Sequence, residues 1–348
     1  MKNIYRILLC TLTIFALTAC SNKTAGQESG NTRTAETNTG TNTDTPQSNT
    51  TENATETNTA ESDTAGKETR TVTDLKGEVE IPANPQRIAD LTGASDILSI
   101  LGYNVAATAN SDAYDYTVLP SYLQDILKDA RIVGFSMQDT MDVEAIMSTN
   151  PDLIIISSVQ EKMYDTLKEI APTIMIEIAK VNWKDDIRTL AALFDQTDVA
   201  EEWLKNYETK AVAAGNEIKE KLGEDKSFMS FLASSGQFYI FSEAGLGDIL
   251  SKDMGLLRPE KMPVQEDISL PVVSYEGLAE IDADYIIVVA TEEDLAELEK
   301  NSIWTNLRAV KDNHVIILPS SPYFNQGYSA IGRELLIDEL KGDILNLE

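Results

Sequence analysis

The chain has 348 residues, a formal charge of −29 at neutral pH, one His and two Cys. At roughly 150 residues per domain, that length suits two compact domains. The acidity excludes nucleic-acid binding through clustered Lys and Arg, and it excludes adsorption on anionic lipid through a basic face.

The chain opens MKNIYRILLCTLTIFALTAC. Lys2 and Arg6 give a positive start, and the apolar stretch 7–17 is too short to span a bilayer. It ends in Leu17-Thr18-Ala19-Cys20, which resembles a bacterial lipobox. The resemblance implies a signal peptide over 1–19, cleavage before Cys20, and lipidation of that residue. An ordinary secretion signal with an incidental Cys is the alternative. On the lipoprotein reading Cys10 leaves with the signal and Cys20 is acylated. The mature domains then hold no thiol, which excludes disulfides, thiolate metal sites and Cys nucleophiles. Residues 20–70 form the lipidated Cys and a Thr/Asn-rich tether with almost no large apolar residue. Such a segment cannot offset its ordering entropy and is expected to be disordered. Fifty flexible residues reach roughly 40 Å r.m.s..

From Thr71 the pattern changes. TVTDLKGEVEIPANP predicts a β-hairpin turning at Lys76-Gly77 and ended by Pro82 and Pro85. RIADL, VAATA, RIVGF, DLIIIS and TIMIEI predict strands, and TGASDILSILG, DVEAIMSTN and EKMYDTLKEIA predict helices. The alternation argues for a mostly parallel sheet covered by helices, the N-terminal lobe over 71–196. One long helix follows over 197–223, with Ala200, Trp203, Leu204 and Tyr207 at helical spacing and Gly215 as its weak interior point. The alternation resumes in a C-terminal lobe over 224–348. There SFMSFLAS, FYIFS, YIIVVAT and VIILP predict strands, and GLGDILSKDMG, YEGLAEID, SIWTNLRAV and RELLIDELKGDIL predict helices. The expected fold is α/β: two lobes with mostly parallel sheets, joined by one rigid helix.

Two features repeat across the lobes. VEAIMSTNPDLIIIS and YEGLAEIDADYIIVV each place an Asp eight residues after a Glu, at the start of a hydrophobic run. Asp-Ile-Leu-Ser occurs at 96–99 and again at 248–251. Both point to pseudo-symmetry.

Catalytic signals are missing. A Ser-His-Asp triad would have to use His314, at the start of VIILP, where a structural role is expected. The sequence has no G-x-S-x-G elbow, no P-loop and no complete G-x-G-x-x-G. Several-His zinc or manganese sites are excluded, and no D-x-D-x-D-G spacing supports a carboxylate cage. The chain is expected not to be an enzyme and to carry no cofactor or directly bound metal.

The lipobox, the tether, TVTDLKGEVEIPANPQRIADL, EAIMSTNPDLIII, the long helix and IWTNLRAVKDNHVIILP together resemble the helix-linked class of periplasmic binding proteins. Within it, the likeness is to substrate-binding lipoproteins of ABC importers for iron-siderophores, haem and cobalamin, over about residues 70–345. The resemblance implies a monomer, lipid-anchored on the outer face of the bacterial membrane. It also implies an ABC permease dimer, driven by an ATPase, as partner. One acidic residue at the tip of each lobe would dock on basic permease residues, and Glu144 and Glu276 stand at the matching places. The alternative is that each Glu simply favours the positive end of its helix.

A ligand is expected between the lobes, outside the carboxyl ends of the strands. That rule names the loops 92–95, 136–137, 157–158 and 180–183 in the first lobe. In the second it names 234–236, 242–243, 291–292 and 320–325. The candidates are Ser95, Ser136, Met137, Ser158, Lys180, Trp183, Ser235, Tyr323, Phe324 and Asn325. Anionic ferric catecholates call for several Arg or Lys, and these loops offer only Lys180, with Lys162 just beyond one of them. The ligand is therefore expected to be a ferric siderophore, with a hydroxamate favoured. Haem held through Met137 is a rival, although Thr291 stands where a His would be wanted. Cobalamin is another. A surface adhesin with the same anchor and tether is the alternative from a different class.

Overall fold

A computed structural model describes residues 68–178 and 182–347. The predicted signal peptide, Cys20, nearly all of the tether, and Lys180 lie outside the described residues. The described residues fall in one compact unit, Asp63–Glu348.

Strands β1 (Thr69–Asp74) and β2 (Gly77–Pro82) form the predicted antiparallel hairpin. It begins two residues before the expected boundary at 71. Its turn is Leu75-Lys76, one residue earlier than predicted, because Asp74 pairs with Gly77 across the ladder. The Asp74 carboxylate fixes that turn by accepting from the Lys76 and Gly77 amides.

The first lobe then runs β3 (Ile88–Asp90), α1 (Ser95–Ile100), β4 (Val105–Thr108), β5 (Arg131–Ile132), α2 (Val143–Ser148), β6 (Leu153–Ser157), α3 (Tyr164–Lys168) and β7 (Thr173–Ile176). The sheet order is β5-β4-β3-β6-β7, all parallel. A helix with no sequence expectation, α4 (Trp183–Leu193), follows. Next comes the connecting helix α5 (Thr197–Leu222), 26 residues long and about 39 Å at 1.5 Å per residue. Its buried stripe, Ala200, Leu204, Tyr207, Ala211, Ala214 and Ile218, keeps the i, i+3, i+4 spacing of one helical face.

The second lobe comprises β8 (Phe228–Ser234), β9 (Gln237–Ile240), α6 (Gly245–Asp248) with a π-turn over 249–253, β10 (Val272–Val273), α7 (Tyr275–Ile281), β11 (Tyr285–Ala290), α8 (Glu292–Leu298), α9 (Ser302–Asn306), α10 (Arg308–Lys311), β12 (Val315–Pro319), α11 (Ser320–Gln326) and α12 (Ala330–Asn346). The sheet order is β10-β9-β8-β11-β12. β8, β11 and β12 are parallel, while β9 and β10 run antiparallel. SIWTNLRAV breaks at Leu307, whose extended ψ of 145° separates α9 from α10.

The paired Glu-x7-Asp units have a structural reason for their Asp. Asp152 accepts from the Gln86 and Arg87 amides at the head of β3. Asp284 accepts from the Ser227 amide and hydroxyl at the head of β8. Each Asp thus locks its strand to the neighbouring central strand. In both lobes the residue two before it, Asn150 or Asp282, takes a left-handed turn. The Asp-Ile-Leu-Ser pair also has a common target. Asp96 accepts from the Ser329 hydroxyl and the Ile331 amide at the start of α12, and Asp248 pairs with Arg333 one turn later. One apolar cluster runs from Leu98 through Leu204 and Tyr207 to Leu250 and Leu336, so the lobes share a core along α5 and α12.

Candidate ligand-binding cleft

A cavity of about 210 Å³ opens at the carboxyl ends of β3, β4 and β5. Its first-lobe wall is Gly93, Asn110, Ser111, Phe135, Ser136 and Met137. Pro120 and Tyr122 come from the β4–β5 connection, and Phe324, Asn325, Tyr328 and Ser329 from α11 and the turn after it. Ile268 and Leu270 close the remaining side. A larger hollow of about 550 Å³ lies near Lys219, Glu224, Lys252 and Arg258. It lies at the amino end of β8, where Leu257 bridges to Ser227, and not at the carboxyl ends of the strands, so it is not the candidate.

Buried polar clamps hold the wall. Asp90, fully buried, accepts from the Thr92 amide and hydroxyl, the Ala94 amide and the Ser95 hydroxyl, shaping the loop that carries Gly93. Asn110 accepts from the Ser95 amide at 3.0 Å and donates to the Gly93 carbonyl at 2.9 Å. Gln160, also fully buried, donates to the Ser136 and Gln138 carbonyls and so presents Ser136 and Met137. Asn325 accepts from the Ala113 amide, and the Ser321 hydroxyl donates to Asp112. These two contacts tie α11 to the first lobe. Tyr116 stacks on Phe135 with centroids 5.0 Å apart, and Tyr114 meets Phe324 edge-on, extending the aromatic surface beyond the cavity.

Four predicted candidates meet here: Ser136, Met137, Phe324 and Asn325. The others do not. Ser95 is buried and spends its hydroxyl on Asp90 and Thr108. Ser158 is exposed at the start of a 3₁₀ turn over 158–163, away from the cavity lining. Ser235 is an exposed hairpin residue in the left-handed region, because β9 turns straight back on β8. Tyr323 turns its hydroxyl to Glu339 on α12. Trp183, 4% exposed, is core rather than cleft: it packs edge-on against Tyr207 at 4.7 Å and lies under the Arg333 guanidinium at 4.6 Å. Sequence reasoning missed Asn110, Tyr122, Gln160, Ile268, Leu270 and Tyr328. Asn110 stands two residues after the strand VAAT, so the strand-end rule pointed near it.

Burial first, then the Asp96 charge, pushes the Tyr122 hydroxyl well above the ordinary phenol range. Burial does the same at Tyr328 and raises Tyr114. All three stay protonated at neutral pH and can donate hydrogen bonds. Among the described residues, no Lys or Arg side chain lines the cavity. Met137, 62% exposed, stands at its mouth. His314 sits at the amino end of β12, opposite the cleft, with its ring stacked on Tyr285 at 4.3 Å. Its position rules it out as a partner to Met137. No described helix is long and apolar enough to cross a membrane.

Known proteins share this architecture. The chain is 33% identical over 264 residues to the iron(3+)-hydroxamate-binding protein YxeB of Bacillus subtilis, covering 72% of this chain and 78% of that one. The FhuD protein from S. pseudintermedius superposes with a TM-score of 0.64 at 26% identity, covering 80% of this chain and 98% of that one. Staphylococcus aureus SirA, solved with staphyloferrin B, gives 0.65 at 26% identity, covering 80% and 99%. Residues 91–322 match the periplasmic binding protein family as a whole, and this chain belongs to it.

Proposed function

We propose that this chain is the substrate-binding lipoprotein of an ABC importer, and that it captures a ferric siderophore of the hydroxamate type. The observation that carries the reading is the cleft: amide and hydroxyl groups between aromatic walls, with no cationic side chain lining it among the described residues. An anionic chelate would find no counter-charge among those residues, whereas a neutral or cationic one needs none. The names of similar proteins, among them the hydroxamate-binding YxeB, support the ligand class. The cavity is smaller than the roughly 300–1,000 Å³ of typical ligand sites. The chelate is therefore expected to rest partly in the mouth, against Tyr114, Tyr116 and Met137.

Delivery is assigned to Glu144 and Glu276. Both are exposed, and both are the second residue of a helix that precedes the strand beside the central one of its sheet. The Ser274 hydroxyl donates to Glu276 at 2.8 Å and, with its amide contacts, holds that carboxyl below the usual carboxylate range. Two like charges at pseudo-equivalent positions suit a dimeric permease, where charge pairs set orientation and on-rate. Lipidation at Cys20 would keep the receptor near that permease at high effective concentration. The permease and ATPase would provide the energy.

Calorimetric titration of the full chain in a neutral detergent, against a ferric trihydroxamate, a ferric catecholate, haemin and cobalamin, tests the ligand assignment. Calorimetry suits the test because Trp183, packed on Tyr207, does not line the cleft and would not report on it. The expected result is saturable sub-micromolar binding of the trihydroxamate. Binding of haemin alone would overturn the assignment in favour of Met137 with a second axial ligand. Silence toward all four would favour the adhesin.

A further inference from the structure

Two buried carboxylates stand directly behind the cleft wall. Asp112 is 1% exposed and follows the lining residue Ser111. It accepts from the Ser321 hydroxyl at 2.6 Å and the Tyr114 amide at 2.8 Å. Asp96 is also 1% exposed and accepts from the hydroxyl of Ser329, itself a lining residue, at 2.7 Å. All these donors are neutral. Among the described residues, no ion pair involves either carboxylate, and Arg333, on the helix that Asp96 caps, is engaged with Asp248 and Asp253. Tyr122 and Tyr114 register the same field. Burial is the main influence on each, but Asp96 and then Asp112 raise Tyr122, and Asp294 and then Asp112 raise Tyr114. Charges in a partly dry site act on a ligand more strongly than they would in water.

We propose that the cleft selects among chelates by charge, favouring a ferric complex with a net positive charge, with Asp112 as a determinant acting through its field rather than by contact. The inference rests on the chelate-binding reading above and goes further, because a trihydroxamate cleft of neutral potential would not distinguish one terminal group from another.

The test uses one scaffold in three charge states: a linear ferric trihydroxamate with a terminal ammonium, its N-acetyl form and its N-succinyl form. They carry net charges of plus one, zero and minus one. Titration of the full chain is expected to show affinity falling about tenfold at each step, about 1.4 kcal/mol. Asp112→Asn, whose oxygen can still accept from the Tyr114 amide while its amide NH2 donates to the Ser321 oxygen, should compress that spread several-fold, read within the variant as ratios to the N-acetyl form. Equal affinities, or tightest binding of the succinyl form, would overturn the charge inference alone. No binding of any of the three would overturn the hydroxamate reading and this inference with it. A uniform loss across the series in Asp112→Asn would show a structural role only and remove Asp112 from the proposal.

Discussion

Arg333 is 1% exposed, and its guanidinium reaches Asp248, Asp253 and the Gly327 carbonyl while lying over the Trp183 ring. Burial alone would weaken its charge, but Tyr207, Asp253 and Asp248 outweigh that and raise its pKa. The group therefore stays charged, at the point where α4, α5, the π-turn and α12 meet. Arg333→Ala would leave two buried carboxylates without their strongest partner. It should cost about 3–5 kcal/mol in denaturant unfolding, and an unchanged midpoint would refute the role. The same cluster explains why Trp183 misled. A Trp at a strand end suits a ligand site as well as a core, and nothing in a single residue separates the two. The stretch WKDDIRTLAAL does carry the signal, since Trp183, Ile187, Leu190 and Ala191 share one helical face and are all buried. Gln160 left one local trace, the capping box it closes with Ser157, but its contacts to the Ser136 and Gln138 carbonyls, like those of Asn110 to Gly93 and Ser95, depend on how separate loops meet.

At the scale of elements, the periodic stretches were legible and the irregular ones were not. The strands DLIIIS and YIIVVAT and the helix α5 stand where their patterns placed them: the strands are buried throughout and read as unbroken apolar runs, and α5 repeats one buried face over several turns. The segment 256–271 has no period to read, yet it brings Ile268 and Leu270 to the cleft. Gln265 pins it, accepting from the Glu243 amide and donating to the Asp267 carbonyl. Gly215 reads in sequence as a weak point of α5, but a Cβ there would meet the Met254 carbonyl oxygen at 1.7 Å. The glycine lets the connecting helix touch the second lobe. Gly342 in α12 has nothing within 4 Å of its would-be Cβ. Two identical substitutions should therefore differ in sign. Gly342→Ala should stabilise by about 0.5–1 kcal/mol through helix propensity. Gly215→Ala should lose more than propensity returns, by roughly 1–3 kcal/mol of overpacking. Thermal melts of the two variants decide it.

For the whole molecule, β/α alternation on either side of one long helix was enough to read the two-lobe plan, since connection rules leave few ways to arrange such elements. It could not reveal that the last two helices turn back to the first lobe through Asp96, Asp112 and Ala113. The docking proposal belongs at this scale because it needs both lobes. Glu144→Lys and Glu276→Lys together should lower iron uptake by at least tenfold in cells, on the scale of interface charge reversals, while chelate affinity measured by calorimetry stays unchanged. Normal uptake in the double variant would end the assignment. The placement of α12 bears also on how such a protein leaves the cell interior. A chain threaded outward amino end first would have most of both lobes across before residues 329–333 arrive to satisfy Asp96 and Asp248. Until then each lobe lacks a wall of its shared core, so the last helix to arrive is the one that closes the packing of both.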